Sequence, residues 1–141
     1  MRVMLIYSSH SKKFDQIANT IFAAFQSQGH RTEKIKIEES PRVPSLFPYD
    51  LIFVGGEVEG VWGGKFSENL DSFLTKCSGF EGKKSVVFVY PKPIGTGKAM
   101  KKIMKRLEEK GSIVIDFRSI KTNSEAKALA ERLGRKRETA S

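Results

Sequence analysis

The sequence predicts one α/β domain, in which a doubly wound parallel sheet lies between two layers of helices. Five short apolar segments alternate with amphipathic stretches along the 141 residues, and this alternation is typical of repeated strand–helix units. Hydrophobic residues make up 39% of the chain and charged residues 29%, a balance that favours a globular domain over a disordered chain. We predict a single domain over residues 1–134 and a disordered, charged tail over residues 135–141.

Three of the five apolar segments have the pattern of central strands. Residues 3–7, 51–54 and 86–90 are apolar without a break, as expected where helices cover both faces of a sheet. Residues 34–37 alternate between apolar and polar, and residues 113–117 turn into alternation. These two segments are therefore predicted to be edge strands with one face toward water.

The stretches between the strands predict four helices, because their apolar residues recur at three- and four-residue spacing. The first stripe consists of Phe14, Ile17, Ala18, Ile21 and Phe25, and Gly29 follows it as a helix stop. The other stripes lie within residues 66–77, 100–107 and 126–133. Prolines at positions 41, 44 and 48 predict an irregular connection over residues 38–49.

Charge and composition limit the possible functions. The net charge of +9 and the pI near 9.7 predict attraction to anions. Cys77 is the only cysteine and falls on an apolar stripe, so we expect a buried thiol and no internal disulfide. No segment approaches the ~20 apolar residues that span a bilayer, and the first apolar run is too short for a secretory signal. We therefore expect a cytoplasmic protein without a membrane span.

A doubly wound sheet places its ligand crevice beyond the carboxyl ends of the strands that flank the reversal of strand order. Three loops are candidates: residues 8–13, 55–64 and 91–97. The first leads into a helix and offers hydroxyls, backbone N–H groups and ammonium groups, a combination that can hold phosphate. Its residues are Ser8, Ser9, His10, Ser11, Lys12 and Lys13. The alternative is that Ser11 caps the helix and the lysines are ordinary surface residues.

The other two loops could line a flat ligand. Five of the twelve glycines fall within residues 55–64, which lets a ligand approach the backbone, and Trp62 could stack on a ring or fill a gap beside a helix. The third loop could wall a cleft, or it could be a simple turn that ends in the helix cap Thr96.

The chain resembles the flavodoxin family over nearly its whole length. The residues that carry the resemblance are Ile6-Tyr7-Ser8-Ser9, which is similar to the first strand and its exit, and Tyr49-Asp50-Leu51-Ile52-Phe53-Val54-Gly55-Gly56, which is similar to the third. The resemblance implies a five-stranded sheet of order 2-1-3-4-5 and FMN held by three loops. It assigns to FMN the six residues of the first loop, Glu57, Val58, Glu59, Gly60 and Trp62 of the second, and Lys92, Gly95 and Thr96 of the third.

The phosphate loop departs from the pattern of the family. Where flavodoxins carry Thr-Gly-x-Thr, this chain has Ser11-Lys12-Lys13-Phe14, so a close backbone approach and one hydroxyl are replaced. The ammonium groups of Lys12 and Lys13 could compensate by direct charge on the phosphate.

The leading hypothesis is an FMN-binding redox protein, either an electron carrier with an acidic partner or an FMN-dependent oxidoreductase. The first alternative is a binding or regulatory module of the same fold that has lost FMN. A basic nucleic-acid module is the second alternative, but no nucleic-acid motif accompanies the charge. His10 and His30 lack the partner spacing of a metal site. No catalytic residue is assigned, and nothing in the sequence indicates an oligomeric state.

Overall fold

A computed structural model describes residues 1–40, 42–59 and 67–139 of the chain, with side chains through residue 135. Strands and helices alternate as the sequence predicts, and a short 3₁₀ turn, Ile37–Glu39, follows the second strand. The elements are β1 Arg2–Tyr7, α1 Lys12–Ser27, β2 Arg31–Lys36, β3 Leu51–Glu57, α2 Glu68–Lys76, β4 Lys84–Tyr90, α3 Thr96–Glu109, β5 Ile113–Ser119 and α4 Asn123–Thr139.

The sheet has the order β2-β1-β3-β4-β5, and each neighbouring pair of strands is parallel. This confirms the predicted order, with the three uninterrupted apolar segments in the centre and the two alternating segments at the edges. Strand order reverses between β1 and β3, where Tyr7 lies opposite Gly55. The carboxyl ends of these strands therefore meet at the place where a doubly wound sheet opens its crevice.

Two apolar cores hold the helices to the sheet, one on each face. On one face, α1 and α4 cover a cluster that includes the buried rings of Phe14, Phe25, Phe53 and Phe88. On the other face, buried residues of α2 and α3 such as Leu70 pack against alternate residues of the same strands. Each large apolar side chain that is fully buried contributes about 1.5–3 kcal/mol relative to an exposed one.

The predicted helix signals are largely confirmed. Ser11 caps α1 by accepting a hydrogen bond from the Phe14 amide at 3.2 Å, and Gly29 follows the helix with φ of +86°. The predicted start of the second helix at position 66 lies outside the described residues, and α2 is described from Glu68. Beyond the 3₁₀ turn, the described part of the proline-rich connection contains a single bridge, between Ser45 and Ser78, and is otherwise irregular, as predicted.

The last helix, α4, continues to residue 139, five residues beyond the predicted end of the domain. The division into a domain of residues 1–134 and a tail of residues 135–141 stays a prediction. Among the described residues, none of the helices is long and apolar enough to cross a membrane.

Candidate functional site

Two backbone hydrogen bonds join the segments at the carboxyl ends of the three central strands. The Ser8 amide donates to the carbonyl of Gly55 at 3.0 Å, which joins the exit of β1 to β3. The Val58 amide donates to the carbonyl of Tyr90 at 3.3 Å, which joins the exit of β3 to the end of β4. The exits of β1 and β3 and the end of β4 therefore lie side by side.

Polar groups of the first loop donate to two carboxylates of the chain itself. Glu38, in the turn after β2, accepts from the Ser8 hydroxyl and, at 3.1 Å, from the Ser9 amide. Glu57, the last residue of β3, accepts from the His10 amide at 2.5 Å and from the Ser11 hydroxyl at 2.8 Å. Four consecutive residues thus place four donors on the oxygens of two carboxylates.

Internal hydrogen bonds hold the first loop in this conformation. The Ser9 hydroxyl donates to the Ser11 carbonyl at 3.0 Å, while the Ser11 hydroxyl oxygen accepts from the first turn of α1 and its proton points to Glu57. Ser8 and Ser9 are buried, and His10 and the two lysines at positions 12 and 13 are exposed. The prediction that Ser11 caps the helix is confirmed, and a phosphate role for the loop stays a prediction.

The charges around the first loop have both signs. His10 Nε2 lies 3.8 Å from Glu38 Oε2, and Lys36 Nζ lies 3.2 Å from Asp15 Oδ1. The hydrogen bond to Asp15 raises the pKa of Lys36. Burial, and next the charge of Asp15, raise the pKa of Tyr7 at the end of β1. The surroundings of the first loop, at the carboxyl ends of the strands, are therefore already rich in carboxylate charge before any ligand is considered.

The glycines at the exit of β3 have a packing reason. A Cβ on Gly55 would lie 2.2 Å from Phe88 Cζ, and a Cβ on Gly56 would lie 3.1 Å from Leu70 Cδ2. Further along, Val58 is buried in the core under α2 and α3, and Glu59 is half-buried. The predicted ring contacts Gly60 and Trp62 lie outside the described residues.

The third loop closes on itself. The Thr96 hydroxyl oxygen accepts from the Lys92 amide at 3.0 Å, and the hydroxyl donates to the Lys92 carbonyl at 2.7 Å. Gly95, with φ of +85°, is the N-cap of α3, and Thr96 is its first helical residue. The proposed cap was therefore wrong by one residue, because the threonine hydroxyl bonds back into the loop. The exposed Ile94 lies at the tip of this loop.

Glu38 is the site residue that the sequence analysis missed. The strand order contains the signal for it: β2 lies beside β1, so a residue just after β2 lies next to the loop that follows β1. The described residues contain no group of three or more histidine, cysteine or acidic residues placed to hold a metal ion.

The donors of the first loop suit an oxyanion. Backbone N–H groups and hydroxyls at a helix N-terminus bind phosphate and carboxylate alike, and here they bind the carboxylates of Glu38 and Glu57. The donor chemistry therefore fits the phosphoryl group of FMN, which would have to take the place of these two side chains.

No protein-family model and no curated protein matches the chain in sequence. Solved structures do match it in fold. Oxidised flavodoxin 1 from Bacillus cereus is 20% identical, with a TM-score of 0.73 and 95% of each chain covered. Two-electron reduced flavodoxin from Megasphaera elsdenii is 23% identical, with a TM-score of 0.76 over 94% of this chain and 98% of that one. A flavodoxin from the domain Archaea is 19% identical, with a TM-score of 0.69. The strand order and these superpositions agree that the chain has the flavodoxin-like fold.

Proposed function

We propose that the chain binds FMN in the crevice at the carboxyl ends of β1, β3 and β4 and acts as a redox protein. The observation that carries the proposal is the set of four oxyanion donors on residues 8–11, at the N-terminus of α1 and beside the reversal of strand order. Solved structures of the same fold include a flavodoxin in the oxidised state and one in the two-electron reduced state. When bound, the flavin supplies the electron-transfer chemistry, and the protein supplies binding, orientation and electrostatics.

The residues of the chain divide into two groups in this proposal. The amides of Ser9 and His10 and the hydroxyls of Ser8 and Ser11 would hold the phosphoryl group. The exposed ammonium groups of Lys12 and Lys13 would add charge, and the remaining predicted residues of the second and third loops would border the ring. Fixed donors of this kind orient a ligand and keep water from its phosphate oxygens.

An acidic partner protein suits the outer face of α3. The side chains of Lys98, Lys101 and Lys105 are exposed, opposite the buried Ala99 and Ile103. Complementary charge speeds the encounter with a negatively charged surface and selects among partners. The proposal includes two kinds of redox protein, an electron carrier and an FMN-dependent reductase of a small substrate. A cytoplasmic location of the protein stays a prediction.

A binding module without flavin is the second candidate. It is favoured by the two carboxylates that occupy the donors of the first loop and by the lysine at position 12 in place of the glycine of the family. In this candidate the loop is a structural clamp between strands, and the function lies in a protein contact of the same crevice or of the basic helix.

Titration of the apo-protein with FMN distinguishes the two candidates. We expect quenching of flavin fluorescence with a defined stoichiometry, weaker binding of riboflavin, which lacks the phosphate, and weaker binding of FMN by the Lys12→Ala/Lys13→Ala variant. Lys101→Ala/Lys105→Ala is the matched control, because it removes two exposed ammonium groups from another helix. A colourless protein that takes up no added FMN would refute the flavin proposal and favour the second candidate.

A further inference from the structure

We infer that the carboxylates of Glu38 and Glu57 compete with phosphoryl ligands for the hydrogen-bond donors of the first loop, residues 8–13, and so make this loop select against such ligands. The inference deepens the proposed function and rests on it for the identity of the ligand. Its structural basis is that each carboxylate takes two adjacent donors of the loop. Any phosphoryl group that enters must compete with both.

The two carboxylates reach the loop from opposite sides. Strand β1 lies between β2 and β3; Glu38 comes from the turn after β2 and Glu57 from the end of β3. Glu38 holds the first half of the loop, Ser8 and Ser9, and Glu57 holds the second half, His10 and Ser11. The arrangement clamps the exit of β1 to both neighbouring strands.

The competition is electrostatic as well as geometric. A phosphoryl group that displaced the two side chains would lie close to two carboxylates that have lost their hydrogen-bond donors. Like charges at such distances repel, and the repulsion grows as water is excluded.

Neutral amide substitutions separate charge from shape. Glu38→Gln and Glu57→Gln keep the length of the side chain and an acceptor oxygen while they remove the negative charge. Glu39→Gln is the matched control for each single variant, because it removes the same charge from the neighbouring residue. The Glu39 carboxylate lies 3.9 Å from Lys36 Nζ and so forms an ion pair outside the loop.

The experiment is an equilibrium titration of the apo forms with FMN, with stabilisation by inorganic phosphate in thermal unfolding as a second readout. We expect the Glu38→Gln/Glu57→Gln variant to bind FMN at least tenfold more tightly than the wild type, because each amide removes one negative charge and leaves only a weaker, neutral acceptor for the donors of the loop. Each single variant should give part of the gain, and Glu39→Gln should bind like the wild type.

The outcomes distinguish this inference from the proposed function. Equal FMN affinity in the wild type and the double variant would overturn the inference and leave the proposed function intact. FMN binding by the double variant alone would support the inference and refute the proposed function for the wild type. A folded double variant that binds neither FMN nor phosphate would overturn the inference, and the same failure in the wild type as well would overturn both.

Amide hydrogen exchange tests the inference in the wild type, so this test can be carried out even if a variant does not fold. The Ser9 and His10 amides donate to carboxylates and should be protected from exchange in the apo-protein. The Lys12 amide, in the first turn of α1 where N–H groups have no helical partner, is the internal reference. Ser9 and His10 amides that exchange as fast as that of Lys12 would show that the carboxylates do not occupy the loop.

Discussion

Replacing Gly55 by alanine is expected to lower the free energy of unfolding by about 2 kcal/mol, in the middle of the range for overpacked cores. The added methyl carbon would lie 2.2 Å from Phe88 Cζ and 2.5 Å from each neighbouring ring carbon. The Phe88 ring is fully buried and packs against Phe14 and Phe53, with centroids at 5.5 and 6.2 Å. The ring therefore cannot move away without displacing two others.

Two other glycines calibrate this effect. A methyl group on Gly56, the next residue of β3, would lie 3.1 Å from Leu70 Cδ2, the end of a flexible side chain, so Gly56→Ala should cost less. A methyl group on Gly97, in the first turn of α3, would meet no atom within 4 Å. Gly97→Ala should stabilise the protein by about 0.5–1 kcal/mol, because it restricts the unfolded chain.

The assay is denaturant unfolding of the three variants, with thermal midpoints as a check. For a chain of this length, the Gly55→Ala midpoint should fall by about 6 °C, at roughly 3 °C per kcal/mol. Phe88→Leu should relieve the clash, so the double variant should lose less than the sum of the two single losses. Wild-type stability of Gly55→Ala, or strictly additive losses with Phe88→Leu, would refute the argument.

Three further predictions concern titratable groups. Burial opposes the ionisation of Asp116, but hydrogen bonds from Arg132 and from the Phe117 amide outweigh burial and lower the pKa of Asp116. The stability that ionised Asp116 contributes is therefore fully present above the unfolded pKa of about 3.9 and is lost as pH falls through the folded pKa. Unfolding free energies from pH 7 to 2 should lose that part of their acid dependence in Asp116→Asn, and an unchanged profile would contradict this. Burial, followed by the hydrogen bond to Glu33, raises the pKa of Tyr49 to about 12. The stability that neutral Tyr49 contributes is therefore fully present below the unfolded pKa of about 10 and is lost as pH rises through the folded pKa. Ultraviolet titration of tyrosinate in the wild type and in Tyr49→Phe measures this pKa, and ionisation of Tyr49 at its ordinary pKa would contradict the prediction. Burial raises the pKa of Cys77 to about 11, so iodoacetamide at neutral pH should alkylate it in denaturant and spare it in the native protein, and equal rates in the two states would contradict this.

Most of the fold follows from local patterns in the sequence. Uninterrupted apolar segments became the three central strands because helices cover both of their faces, and alternating segments became the edges. A helix boundary depends on finer competition, as the start of α3 shows. Thr96 is a good capping residue by type, but its hydroxyl bonds to Lys92, and Gly95 takes the cap with a positive φ that suits glycine. Composition alone does not decide between these uses of one hydroxyl.

The candidate site was less predictable, because its residues are joined across the sheet and not along the chain. The donors of the first loop could be found in the sequence, since they follow a strand and precede a helix. Their acceptor Glu38 lies 30 residues from Ser8, in a segment whose prolines indicated only an irregular connection. Strand order supplies the missing step: because β2 and β3 flank β1, the turn after β2 and the last residue of β3 lie beside the loop after β1. In this chain that turn and that last residue each provide a glutamate, so the same topology that gathers the donors of the loop also delivers the carboxylates that they bind.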